Sequence, residues 1–92
     1  MNTLKELYEI LESRKTANPA QSYTARLFHE GEDEILKKVG EEAVEVILAA
    51  KSQGEQRIVE ELSDLVYHSL VLMVSKGITL DQITAELEKR KK

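Results

Sequence analysis

The sequence contains no cysteine and no tryptophan, a single proline, and only three tyrosines and one phenylalanine as aromatics. Without cysteine there is no disulfide and no thiolate metal site. This suits a reducing compartment, and a cytoplasmic location is the expectation. The start of the chain lacks the basic residues and long apolar run of a signal peptide. The densest apolar run, Leu70 to Val74, is far short of the about 20 residues that span a bilayer, so no membrane partner is expected. Positive charge is also scarce: 13 Lys and Arg stand against 17 Asp and Glu, a net charge of −4. That balance argues against nucleic acid held by bulk electrostatics. It leaves room for a single nucleotide bridged by a divalent cation. Strand alternation, repeats and low-complexity linkers are absent as well.

What is present is helix-forming sequence, rich in Ala, Leu, Glu and Lys. The expected fold is all-α, one domain over residues 1–92 built from about five helices. Thr3 and Glu6 form a capping-box pattern for a first helix ending near Lys15, ahead of Pro19. Ser22 caps a short second helix to about Glu30. After Gly31 a long third helix runs to about Lys51, with Gly54 as its stop. A fourth runs from about Glu55 to Lys76, stopped by Gly77. Thr79, with Gln82 three residues on, caps a fifth.

The apolar stripe of the third helix reads Ile35, Leu36, Val39, Ala43, Val46, Ile47 and Ala50. The fourth helix is apolar on two sides. Ile58, Val59, Leu62, Leu65, Val66 and Met73 make one face; Tyr67, Leu70, Val71 and Val74 occupy the other. A helix apolar all round must be covered all round, and a chain of this size has little else to cover it with. A homodimer with the fourth helix at its interface is therefore expected, and an Asp at Val71 or Val74 should weaken it.

Beside these stripes lie carboxylates. At about 100° per residue, Glu42 and Glu45 stand about 60° apart on one edge of the third helix, with Lys38 on the same edge. Glu61 and Asp64 stand about 60° apart on the fourth, followed by His68, while Glu60 points outward. If the two helices form an antiparallel hairpin, the pairs reach similar heights. Converging carboxylates repel and raise one another's pKa values; an oxygen-liganded cation relieves this. Mg²⁺ is the first choice and Mn²⁺ a substitute. Di-iron bundles use Glu-x-x-His, which these pairs lack. Solvated helix faces explain either pair alone; two pairs across one hairpin make the cation site an equal reading.

The segments "EEAVE" at 41–45 and "ELSD" at 61–64 resemble the signature of the MazG-like all-α nucleoside triphosphate pyrophosphohydrolases. With "SYTARL" at 22–27, "GEDEILKKVGEEAVEVILAAK" at 31–51, "DLVYHSLVLM" at 64–73 and "KGITLDQITAELEKR" at 76–90, the chain resembles the phosphoribosyl-ATP pyrophosphohydrolase family. Ser63 departs from the small apolar residue expected there. The resemblance implies an all-α dimer that hydrolyses phosphoribosyl-ATP to phosphoribosyl-AMP and pyrophosphate, the second step of histidine biosynthesis. By position, Glu42, Glu45, Glu61 and Asp64 would hold Mg²⁺, and Glu41 would be an outer ligand or the catalytic, water-orienting base. Ser22, Tyr23, Arg26, Lys37, Lys38 and His68 are the substrate-binding candidates, by hydroxyl, ring or positive charge. Other histidine-pathway enzymes are candidate partners. A house-cleaning enzyme acting on free dNTPs and a non-enzymatic helical interaction module remain as alternatives.

Overall fold

A computed structural model of the chain describes residues 2–91. Five helices follow in order: α1 Thr3–Arg14, α2 Tyr23–Glu30, α3 Glu32–Ser52, α4 Glu55–Lys76 and α5 Leu80–Lys89. No strand occurs among the described residues. The breaks fall where the chain needs backbone that most residues resist. Gly31, Gly54 and Gly77 take φ of 101°, 89° and 70°, a region that costs glycine nothing. Ser22 caps α2 by accepting from the Ala25 N–H, and Thr79 with Gln82 forms a reciprocal capping box on α5. The first cap differs from expectation. The Asn2 side chain, not Thr3, accepts the Lys5 N–H at 3.0 Å, and Thr3 is already helical. Asn is as good a cap as Thr, and Asn2 sits at the register that reaches this N–H.

The α3–α4 hairpin is the frame. It is antiparallel, closed at one end by the turn at Gly54 and pinned at the other by an ion pair between Lys76 and Glu32. α1 packs on α4 and α2 on α3. The core is Tyr8 and Leu11 from α1, Leu27 from α2, Ile35 from α3, and Leu70, Val71 and Val74 from α4. It lies under the C-terminal half of α4.

Leu70, Val71 and Val74 therefore lie inside the protomer, where α1 covers them; they are not an outer, dimer-forming face. Val71→Asp is expected to cost the fold itself, because it buries an unpaired charge. The side chains left bare are Leu36, Val44, Ile47 and Leu48 on α3, and Val59, Leu62 and Val66 on α4. The sequence pattern alone could not rank the two sides of α4, since both are apolar. α1 settles the matter by docking on one of them.

One polar contact fixes α1 at the far end of α4. The Tyr8 hydroxyl donates to the Ile78 carbonyl at 2.6 Å, and burial pushes the phenol pKa up. Tyr8→Phe leaves that carbonyl without this partner. The expected loss is about 1 kcal/mol, read from urea unfolding with an unchanged m-value.

Candidate metal centre

Along the hairpin the two helices face each other through heptad-spaced positions. Ile35, Glu42 and Ala49 line α3; Glu61 and His68 line α4. Ile35, Ala49, Glu61 and His68 are buried, and Glu42 is half-buried. The carboxylates of Glu42, Glu61 and Asp64 each offer an oxygen within 4.8 Å of the others. Glu61 forms the buried wall at 6% exposure, while Asp64 is open to solvent. Burial pushes the Glu42 carboxyl above its ordinary range; the Asp64 charge adds to this, His68 opposes it, and Glu61 adds again. Glu61 is held by Arg57, whose guanidinium donates to it at 2.5 Å and to Glu60 at 2.5 Å.

The donor set suits a hard divalent cation. All three donors are carboxylate oxygens, they already converge, and their repulsion is relieved by positive charge between them. The same repulsion gives an expectation for the metal-free protein. Glu42→Gln removes a carboxylate that the fold disfavours in its charged form. It should raise Tm in EDTA and abolish the further rise that Mg²⁺ gives the wild type by binding the folded state. A lower Tm in EDTA would contradict this.

The other expected residues are placed as follows. Glu45, one turn beyond Glu42, is exposed and outside this group of three. Glu41 is exposed and lies 3.8 Å from the Lys38 Nζ, so Lys38 pairs with Glu41 and not with Glu42. Glu60 is exposed, and hydrogen bonds from Gln56 and then Arg57 hold its carboxyl below the usual range. Lys37 is exposed on α3. The Ser22 hydroxyl is occupied as the α2 cap. Arg26 lies over the Tyr23 ring at 5.6 Å and 3.8 Å from Glu30. The Tyr23 hydroxyl meets His68 Nε2 at 2.9 Å, and His68 Nδ1 meets the Asp64 carbonyl at 2.9 Å. The Thr24 and Tyr67 hydroxyls share a hydrogen bond beside them.

Two participants escaped the sequence reading. Arg57 was legible as the i−4 neighbour of Glu61 and the i−3 neighbour of Glu60, both ion-pair spacings on a helix. The Thr24–Tyr67 contact joins α2 to α4, and no local signal could have marked it.

Comparison with known proteins adds four findings. A family model described as phosphoribosyl-ATP pyrophosphohydrolase matches residues 4–91. The chain is 53% identical to a phosphoribosyl-ATP pyrophosphatase of Leptospira biflexa, over 98% of each chain. It is 51% identical to one from Lactiplantibacillus plantarum, over 98% of this chain and 85% of the relative. It is also 54% identical, over 97% of its length, to 43% of a histidine biosynthesis bifunctional protein from Caldanaerobacter subterraneus.

Proposed function

The chain belongs to the phosphoribosyl-ATP pyrophosphohydrolase family, and from that premise we propose that the Glu42, Glu61 and Asp64 group is where it hydrolyses phosphoribosyl-ATP in histidine biosynthesis. The observation that carries the site is the convergence of three carboxylates, one of them buried, across the two central helices. Glu42, Glu61 and Asp64 would hold Mg²⁺, with Mn²⁺ as substitute, and Glu45 would swing in from the next turn of α3 as a fourth ligand. Bound there, the cation supplies positive charge to phosphate oxygens and polarises water.

The chain's own groups do the rest. Glu41 stands one residue from Glu42 on the solvent side, where it can orient a water and take its proton as the α–β linkage opens. Lys38, beside Glu41, would pair with a phosphate oxygen. Arg26 and Lys37 are the further cationic candidates for the phosphates. Pyrophosphate leaves and phosphoribosyl-AMP remains.

The bare apolar side chains of α3 and α4 support a homodimer in which two hairpins pack together. Association with another histidine-pathway enzyme is supported by the bifunctional relative. No helix among the described residues is long and apolar enough to cross a membrane, and action in the cytoplasm completes the proposal.

The test is pyrophosphate release from phosphoribosyl-ATP, compared with free dNTPs, in Mg²⁺ and in excess EDTA. Release from phosphoribosyl-ATP in Mg²⁺ alone is expected. Full activity in EDTA would remove the metal from the account, and preference for dNTPs would redirect the substrate.

A further inference from the structure

His68 is 7% exposed, and both its ring nitrogens are engaged. The Asp64 carbonyl can only accept, so the 2.9 Å contact places a proton on Nδ1. In the neutral ring Nε2 is then bare and can only accept. The Tyr23 hydroxyl, 2.9 Å away, must donate to it. Tyr23 has that proton to give: burial raises its pKa, and the negative ends of Tyr67 and Glu42 raise it further. The Tyr23 and Tyr67 rings pack edge-on with it at centroid distances of 6.0 Å and 5.4 Å. Nδ1 also lies 4.0 Å from the Glu42 carboxylate, so the assembly borders the carboxylate group. Tyr23 itself remains 41% exposed.

With its only proton committed to His68, the Tyr23 oxygen has only lone pairs left to offer. The Glu42 charge acts on this hydroxyl, so the surroundings are already negative. A phosphate oxygen brings another acceptor and finds nothing to receive. A hydroxyl or an amine finds an acceptor in place. We propose that His68 is a positioning residue that sets the Tyr23 hydroxyl as an acceptor for a donor group of the nucleotide, the ribose 2′-hydroxyl or the purine amine, and not as a donor to phosphate. This rests on the reading above that the carboxylate group is the reaction site. It narrows the role of Tyr23 to the nucleoside part of the substrate and takes His68 out of direct substrate contact.

Two measurements test it. The first needs no turnover. Long-range ¹H–¹⁵N spectra of the two histidines report which ring nitrogen is protonated. His68 should show a protonated Nδ1 and a bare Nε2 whose shift moves in Tyr23→Phe; a protonated Nε2 overturns the inference whatever the enzyme does. The second is kinetic. Gln at position 68 can offer an acceptor near the place of Nε2, whereas Asn can offer only a donor near that of Nδ1. His68→Asn and Tyr23→Phe should each raise KM about tenfold, the scale of one hydrogen bond, with kcat and Mg²⁺ affinity much less changed. His68→Gln should recover most of the loss, and adding Tyr23→Phe to His68→Asn should cost nothing more.

Competition by ATP, dATP and ITP separates the donors. Wild type should disfavour dATP if the donor is the hydroxyl, or ITP if it is the amine, and Tyr23→Phe should lose that preference. Equal binding of all three, or a kcat loss with unchanged KM, overturns the acceptor role. Loss of folded protein alone, with normal KM and kcat per folded molecule, would make His68 merely structural. Failure of the wild type to hydrolyse phosphoribosyl-ATP would instead strike the functional reading, leaving the spectra to decide the histidine.

Discussion

Asp64→Asn is expected to lower turnover of phosphoribosyl-ATP by about 10²-fold or more, the scale on which positioned electrostatic groups act, while Tm in EDTA stays level or rises. Asp64 is the most informative of the three carboxylates because it is exposed. Its side chain supports the cluster's charge and little of the core. Its backbone carbonyl, which accepts from His68, is kept in the Asn variant. Glu61→Gln should be equally inactive, but Glu61 is buried and tied to Arg57. Its loss therefore mixes structure with chemistry. Glu60→Gln is the control: an exposed helix residue usually changes stability by no more than about 0.5 kcal/mol, and turnover should be unaffected. Glu41→Gln separates two roles. If Glu41 handles water, turnover falls while Mg²⁺ affinity stays near that of the wild type. Activity of Asp64→Asn within a factor of two of wild type would take the site away from this part of the hairpin.

Ile47→Asp is expected to give a folded monomer. Ile47 is 66% exposed, and Leu36, Val44 and Leu48 of the same helix are bare with it, as are Val59, Leu62 and Val66 of α4. A patch of this kind signals an interface, and a small chain gains most from covering it. A charge without a partner inside such an interface costs about 3–5 kcal/mol, which raises the dissociation constant roughly 10²- to 10³-fold or more. Sedimentation velocity at micromolar concentration should show a wild-type dimer and a variant monomer, with equal helical circular dichroism. Val71→Asp is the counterpart, because Val71 is fully buried within the protomer; it should lose helicity together with association. A dimeric Ile47→Asp would place the interface on another surface.

The helices were legible because their ends are chemically marked. Ser22, Thr79 and Gln82 are caps that act over three residues, and Gly31, Gly54 and Gly77 stand where φ turns positive. The orientation of the helices was less so. The stripe read for α3 included Leu36 and Ile47, which are exposed, and left out Ala49, which is fully buried. The face that meets α4 is interrupted by Glu42, and a carboxylate in a contact face weakens the periodic signal that would locate it. On α4 both sides are apolar, and which is interior depends on α1. The carboxylates Glu42, Glu61 and Asp64 could be paired from spacing, because i,i+3 residues share a helix edge and a turn at Gly54 brings the edges together. Glu45 shares the spacing but stands one turn on from Glu42, outside the group of three. The hydrogen bond from Tyr23 to His68 joins α2 to α4 across 45 residues, and no local rule reaches that far.

The central claim is that these three carboxylates are a cation site, and Mn²⁺ binding followed by electron paramagnetic resonance tests it without reference to turnover. Wild type and Glu60→Gln should bind Mn²⁺ saturably, with Mg²⁺ displacing it, and Asp64→Asn should lose most of that binding while remaining folded. Equal Mn²⁺ affinity in all three proteins, or no saturable binding by the wild type, would contradict the account.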